Sequence, residues 1–585
     1  MKYKLDTQER TGPKRSLRES GKKFLPLFAA EKGAFSAAMV AIVLSSLATL
    51  VAPVLIIRII NTDLQLKNFH GLLISSLAVF AIYVAGAVAS YVQVITMGGV
   101  GRRVLFHLRN ALFLKLQDLP VAFFNENKAG DLISRLNNDT DKLNMFVGQA
   151  LMQFMGSVFL ITGAAIFLVS LSIKLGLAAL FPAFCVVLFT RGTSAWIKRK
   201  NLVSLQALGG MSSEVQESLN NFKVIVAFNR VDYFRWKFNF SNERNYKASV
   251  SAGMANNIFM PLYGLAHHMA TLIVIGYGIS LIEAGQATVG LLIGFLFYVN
   301  NLYGPMRQLA TVWSSFQLAM AALDRISEVL ALESNMPVVD ALATKAEAVL
   351  SFRQVRFQYP DGKEVLRDVS FEMEKGKAYA LVGPTGGGKT TTANLMARLY
   401  DPTEGSILLN GRDIRSYTAD ERTQKIGFIL QDPFLFSGTV RDNIVYGNEP
   451  YKNHSSQQMA AVLEEANLST LVSRFSEGLD TVVTTSGNSI SLGQKQLIAF
   501  MRAALRKPEL LILDEATANI DTVTEELLQE ILLKLPATTT RVVIAHRLNT
   551  IDNVDQIFFV NSGGITLAGS MEHAVDMLLH EKRAS

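Results

Sequence analysis

Apolar and polar positions divide this chain into two parts of different character. Long apolar runs recur at residues 37–60, 72–97, 146–171, 175–190, 258–282 and 288–313. A helix needs about 20 such residues to cross the roughly 30 Å hydrocarbon layer, so six membrane-spanning helices are predicted. The fourth run is short and is expected to continue into residues 194–196. Long polar stretches with helical spacing separate the second run from the third and the fourth from the fifth. Beyond residues 317–332, a helical continuation of the sixth span, short β-branched strands alternate with amphipathic helices. That alternation predicts a mixed sheet with helices packed on it. The expected organisation is a basic N-terminal segment (1–32), an α-helical membrane domain (33–332), a linker (333–337) and an α/β domain (338–585).

Charge orients the spans. Arg102, Arg103, Arg109, Lys115 and Arg135 fall in the first long loop, and Lys198, Arg199, Lys200, Lys223 and Arg230 in the second; the opposite loops hold Lys67, Lys174 and Glu283. Lys and Arg concentrate on the cytoplasmic side, which puts the N-terminus, both long loops and the C-terminal half there. Composition agrees: half of the residues are apolar and 18% are charged, below the roughly 25% of soluble domains. The formal charge of +7 comes from blocks flanking apolar runs, which argues against a nucleic-acid partner. Residues 1–23 are polar and basic, so no cleaved signal peptide is expected. Cys185, the single cysteine, lies in the fourth apolar run. It leaves no intramolecular disulfide or cysteine metal cluster and reads as a small buried hydrophobe.

Polar side chains within the spans narrow the possibilities further. Asn256, Asn257, His267 and His268 lie in or beside the fifth span, and Tyr298, Asn300, Asn301 and Tyr303 in the sixth. Such groups are costly in hydrocarbon, so they mark a substrate pathway or interhelical hydrogen bonds.

The C-terminal half carries the chemistry. Gly383-Pro384-Thr385-Gly386-Gly387-Gly388-Lys389-Thr390, with Thr391 next, follows an apolar strand at 378–382 and opens a helix. This is the G-x-x-x-x-G-K-[ST] phosphate loop in its required context, and it predicts an ATP site. Its glycines let backbone N–H groups close around phosphates, Lys389 neutralises the β and γ groups, and Thr390 offers a hydroxyl to Mg²⁺. A second strand, 510–513, ends in Asp514 and Glu515; Asp514 would serve the metal and Glu515 the attacking water as general base. The strand at 542–545 delivers His546, a candidate γ-phosphate sensor.

With these residues in place, the domain resembles an ATP-binding cassette, and nearly the whole chain resembles an ABC half-transporter of the exporter type. Tyr359, in Phe357-Gln358-Tyr359-Pro360, matches the family's adenine-stacking aromatic; Gln431, in Leu430-Gln431-Asp432-Pro433, matches the glutamine linking Mg²⁺ and water to the membrane domain. Asp521 matches a loop that crosses to the other subunit. Ile490-Ser491-Leu492-Gly493-Gln494 resembles the signature that completes the partner's ATP site: Ser491, Gly493 and Gln494 match, and Leu492 replaces a glycine. Thr485 stands where exporters usually carry glutamate in a cross-subunit loop. Two stretches, Phe123-Phe124-Asn125 through Arg135 and Glu217 through Phe228, resemble the loops whose short coupling helices dock on the cassettes.

The resemblance implies a dimer in which each ATP is held by the phosphate loop of one subunit and the signature of the other. The expected activity is ATP hydrolysis coupled to export of amphipathic compounds, drugs or lipids, across a bacterial-type inner membrane. An importer of metal chelates and an ATP-gated channel or regulatory ATPase are the alternatives on the same architecture. An exporter that trims peptide cargo is disfavoured, because no cysteine protease domain is expected before the first span. The altered signature beside an intact Glu515 and His546 resembles the catalytic-glutamate subunit of heterodimeric exporters. Its expected partner carries a glycine-containing signature and a replaced glutamate; a homodimer is the alternative.

Overall fold

The computed structural model describes residues 3–5, 31–334, 336–340, 347–360, 362–484, 490–514, 522–544, 554–569, 572–574 and 576–577. The chain divides into two compact units: residues 6–116 with 130–331, and residues 1–5 with 117–129 and 332–585.

In the first unit, among the described residues, six helical segments are long and apolar enough to cross a membrane: Lys32–Leu64, Phe69–Asp118, Ala129–Leu171, Ile173–Asn220, Val231–Glu283 and Val289–Leu309. They coincide with the six apolar runs. The fourth helix runs unbroken over Ile173–Asn220, far past the predicted extension. Hydropathy marks where lipid ends, whereas the helix persists because its polar part has a partner, the Val231–Asn257 helix. Asn201 and Asn256 exchange amide hydrogen bonds of 2.9 and 3.0 Å, and Lys237 reaches Glu214 at 2.7 Å and Glu217 at 3.3 Å.

Besides Asn256, three of the intramembrane polar groups bond between helices. The Tyr298 hydroxyl donates to the Leu50 carbonyl at 2.6 Å, Asn301 to Thr49 O at 3.3 Å, and the Tyr303 hydroxyl to Ala179 O at 3.0 Å. Around them small residues such as Ala164, Ala179 and Ala270 let helix backbones approach closely. His268, by contrast, lines an apolar groove of about 680 Å³ with Ile258, Pro261, Leu262, Gly264 and Leu265. Cys185 is exposed on its helix, not buried in protein. An apolar position on a membrane helix is shielded from water by lipid as readily as by protein.

Arg135, read from sequence as a loop charge, is 1% exposed. Its guanidinium bonds Asp131 Oδ2 at 2.9 Å, Glu328 Oε2 at 2.8 Å and the Arg325 carbonyl at 2.7 Å. Arg325 in turn pairs with Asp131 at 2.5 Å and Asp139 at 3.3 Å. A buried charge needs such a surrounding set of partners.

The second unit is α/β. Its strands are β1 (Ala348–Gln358), β2 (Glu364–Glu374), β3 (Ala378–Val382), β4 (Glu404–Leu409), β5 (Arg412–Asp413), β6 (Ile426–Ile429), β7 (Gly438–Thr439), β8 (Val482–Val483), β9 (Leu510–Asp514), β10 (Thr540–Ile544), β11 (Gln556–Asn561) and β12 (Gly564–Leu567). An antiparallel sheet has the order β2-β1-β4-β5, and a six-stranded sheet the order β12-β11-β3-β10-β9-β6. In the latter, β3, β10 and β9 run parallel, with Ile544 opposite both Leu381 and Asp514. Their C-terminal ends are therefore level. Every residue of β3 and β9 is buried, as expected of central parallel strands covered on both faces.

The short Val121–Glu126 helix belongs to this unit. Phe123 is buried and meets Tyr3 edge-on at 6.4 Å. Asn127 donates to the Tyr3 and Phe123 carbonyls and accepts from the Leu5 N–H.

Candidate functional site

Level strand ends put the phosphate loop and Asp514 on one edge of the central sheet, where ligands bind in open α/β folds. Gly383 has φ +150° and passes the Val560 carbonyl so closely that any side chain would collide with it. Gly388, at φ +120°, starts the Lys389–Met396 helix, in a left-handed geometry that glycine adopts without strain. Lys389 is 5% exposed and its ammonium donates to the Gly383 and Pro384 carbonyls at 2.8 and 3.1 Å. The loop thus folds around the lysine. The Thr390 hydroxyl stands 3.5 Å from Asp514 Oδ1, and Asp514 is itself buried.

Tyr359 follows β1 in a tight turn, its carbonyl accepting from the Gly362 N–H at 2.9 Å. Its hydroxyl lies 3.0 Å from Thr391 Oγ1, which joins the end of the antiparallel sheet to the phosphate-loop helix. Gln431 follows β6, and its carbonyl accepts from Gln496 at 2.7 Å. Gln496 is buried on the Leu492–Ala504 helix, so the Gln431 loop and the signature helix are tied together.

The signature residues have a local role of their own. Ser491 is the N-cap of the Leu492–Ala504 helix: its hydroxyl accepts from the Gln494 N–H at 3.2 Å, and Gln494 Oε1 accepts from the Ser491 N–H at 2.9 Å. This reciprocal capping box satisfies two donors at the start of the helix, an anion-attracting end. Leu492 occupies the first helical turn in ordinary helical conformation. Among the described residues nothing requires glycine there.

Among the predicted site residues, the structure brings together Tyr359, the phosphate loop with Thr390 and Thr391, and Asp514. Gln431 and the signature are linked to each other through Gln496. Glu515, Asp521, His546 and Thr485 lie outside the described residues.

Sequence reasoning overlooked Tyr400. Its ring meets Tyr359 edge-on at 5.3 Å, and its hydroxyl accepts a hydrogen bond from the Asn125 amide at 2.8 Å. Burial pushes the Tyr400 hydroxyl above its ordinary pKa, the Asn125 bond opposing, so it stays a neutral phenol. No local pattern marks it.

Comparison with known proteins agrees with this geometry. Residues 35–306 match the ABC transporter transmembrane region and residues 366–518 match the ABC transporter family model. An uncharacterized ABC transporter ATP-binding protein of Bacillus subtilis is 33% identical, over 94% of this chain and 90% of its own length. A multidrug resistance ABC transporter ATP-binding and permease protein of Lactococcus lactis is 31% identical, over 95% and 93%. A fatty acid ABC transporter ATP-binding/permease protein of Mycobacterium bovis is 31% identical, over 84% and 77%. Six spans and a phosphate-loop cassette in one chain, matched in that order along nearly the full length of these relatives, make this protein a member of the ABC transporter family, an integral-membrane half-transporter of the exporter type that couples ATP hydrolysis to transport.

Proposed function

We propose that this half-transporter moves amphipathic compounds, drugs or lipids, out of the cytoplasm or inner leaflet of a bacterial-type inner membrane, as one half of a heterodimer with its cassette in the cytoplasm. Relatives named for multidrug resistance and for fatty acids support that substrate class. The boundaries that go with this reading are a linker at 333–337 and a cassette from residue 338 onward.

The observation that carries the ATP site is the convergence of Lys389, Thr390 and Asp514 at one sheet edge. ATP phosphates would replace the Gly383 and Pro384 carbonyls as partners of the Lys389 ammonium, while the loop N–H groups of Gly386, Gly387 and Gly388 close around them. The Thr390 hydroxyl and Asp514 carboxylate fit Mg²⁺, two hard oxygen donors that face each other 3.5 Å apart. Mg²⁺ there would supply charge neutralisation at the phosphates. Tyr359 stacks on the adenine, Gln431 orients water and reports to the membrane half, Glu515 takes the water's proton, and His546 contacts the γ-phosphate. Ser491, Gly493 and Gln494 present their helix N-terminus to the ATP of the partner.

Exposed apolar surface supports a second subunit. Phe222, Val224 and Val226 on the Phe222–Ala227 helix are exposed, as are Phe434, Phe436 and Tyr446 on the cassette. Patches of this kind mark interaction surfaces. The heterodimer follows from Leu492: its side chain meets no requirement of its own helix, so its effect falls on whatever approaches that helix N-terminus. A partner with a glycine there would give this chain's intact ATP machinery a better counterpart.

Expression of the chain alone and with its partner, in lipid, tests the reading. ATPase activity that appears on co-expression and disappears with Glu515→Gln supports the heterodimer. A stable homodimer with full substrate-stimulated activity overturns it. Uptake of a lipophilic dye into inverted vesicles tests direction; ATP-driven loss of preloaded dye from such vesicles would refute export.

A further inference from the structure

Tyr400 sits just beyond the phosphate-loop helix, in Arg398-Leu399-Tyr400-Asp401-Pro402, and is 9% exposed. Its place is fixed by Arg398, a buried residue with φ +51°. The Arg398 guanidinium bonds Asp401 at 3.0 Å and the Pro337 carbonyl at 2.8 Å. With its backbone held in this way, the Tyr400 ring packs edge-on against both Tyr359 at 5.3 Å and Phe357 at 5.6 Å. The opposite end of the side chain, its hydroxyl, accepts from Asn125 at 2.8 Å. Asn125 is on the Val121–Glu126 helix, which lies in the same compact unit. Thr391 completes the series, 3.0 Å from the Tyr359 hydroxyl. Asn125, Tyr400, Tyr359 and Thr391 thus form an unbroken chain of contacts from the short helix of the first long loop to the phosphate loop.

We propose that Tyr400 is a positioning residue that ties the first coupling helix to the nucleotide base, setting the Tyr359 ring against the adenine on one side and holding Asn125 on the other. The inference rests on the reading of Tyr359 as the adenine-stacking residue. The two ends of Tyr400 do separable work: the ring aligns Tyr359 through aromatic packing, and the hydroxyl engages the coupling helix. Because coupling between sites is reciprocal, nucleotide binding stabilises the Val121–Glu126 helix, and displacement of that helix loosens the base.

The test uses the full-length chain with its partner subunit in lipid. Tyr359→Leu and Tyr400→Leu should each raise the ATPase KM for ATP, the latter about three- to tenfold with kcat within about twofold. Tyr400→Phe should restore KM. Inorganic tripolyphosphate, which has no base, should inhibit all variants with the same constant, since the phosphate loop is untouched. The double variant Tyr359→Leu/Tyr400→Leu should be no worse than Tyr359→Leu, because the second residue acts through the first. Hydrogen exchange supplies the other arm: a non-hydrolysable ATP analogue should protect the amides of residues 121–126 in the native protein. That protection should be lost in Tyr400→Phe and in Asn125→Leu. An unchanged KM in Tyr400→Leu, additive losses in the double variant, or full protection in Tyr400→Phe overturns the inference while leaving the adenine reading standing. An unchanged KM in Tyr359→Leu overturns both.

Discussion

Replacing Arg135 by methionine should destabilise the membrane unit, and the size of the effect follows from the groups left behind. The arginine is 1% exposed and supplies three charge-assisted bonds, to Asp131, Glu328 and the Arg325 carbonyl. Each such bond is worth about 1.5–3 kcal/mol when buried. The sum is an overestimate here. Asp131 keeps Arg325 as a partner, and the Glu328 side chain is 36% exposed and regains water. The remaining cost is the lost bond to the Arg325 carbonyl, which lies inside the Val289–Leu330 helix, and one partly desolvated carboxylate, about 3 kcal/mol, at the low end of what breaking a buried pair costs. For a unit of this size that corresponds to a fall of roughly 4–6 °C in apparent Tm. Thermal unfolding in detergent, followed by a fluorescent dye at a fixed protein concentration, measures it. Arg135→Lys should fall in between, since an ammonium keeps the charge but not the planar fork that reaches three partners. The combined variant Arg135→Met/Glu328→Leu should recover part of the loss by removing the partly desolvated carboxylate while leaving the Arg325–Asp131 pair in place. An Arg135→Met protein within about 2 °C of the native Tm would refute the reasoning.

Four further outcomes are expected. Lys389→Ala should weaken nucleotide binding, measured by isothermal titration, whereas Glu515→Gln should bind ATP normally and accumulate a closed, ATP-loaded dimer; near-normal turnover in Glu515→Gln would reassign the general base. Ser491→Ala removes one half of the capping box with Gln494 and should cost about 1 kcal/mol of cassette stability, visible in chemical denaturation. Leu492→Gly in the chain expressed alone should instead raise its ATPase activity. Phe222→Ala and Phe124→Ala remove exposed apolar bulk from the two short loop helices proposed to couple the halves and should reduce substrate stimulation of ATP hydrolysis more than ATP affinity; full stimulation in both would count against a coupling role.

The amino-acid sequence by itself determined the features that depend on neighbours along the chain. Six apolar runs specified six spans because hydrocarbon sorts residues by local hydropathy, and the glycines before Lys389 specified a phosphate loop because strand, turn and helix are all contiguous there. Span ends were less legible. Ile173–Asn220 continues through Lys198, Arg199 and Lys200 because Asn256, Lys237 and their helix support it from the side, which no hydropathy run records. The same holds for Tyr298 and Tyr303, whose pairing with Leu50 and Ala179 resolved a choice that sequence left open between pathway and packing. Cys185 lay in an apolar run, but whether lipid or protein would shield it depended on the packing of its helix. Ser491 and Gln494 were recognised by their pattern, while their mutual capping emerged with the helix. Tyr400 and Asn125 are 275 positions apart, and Asp514 reaches Thr390 because β9 and β3 lie on either side of β10 in parallel register. Contacts of this kind are set by strand order and loop closure, which are properties of the whole folded unit and leave no signature in any stretch of sequence.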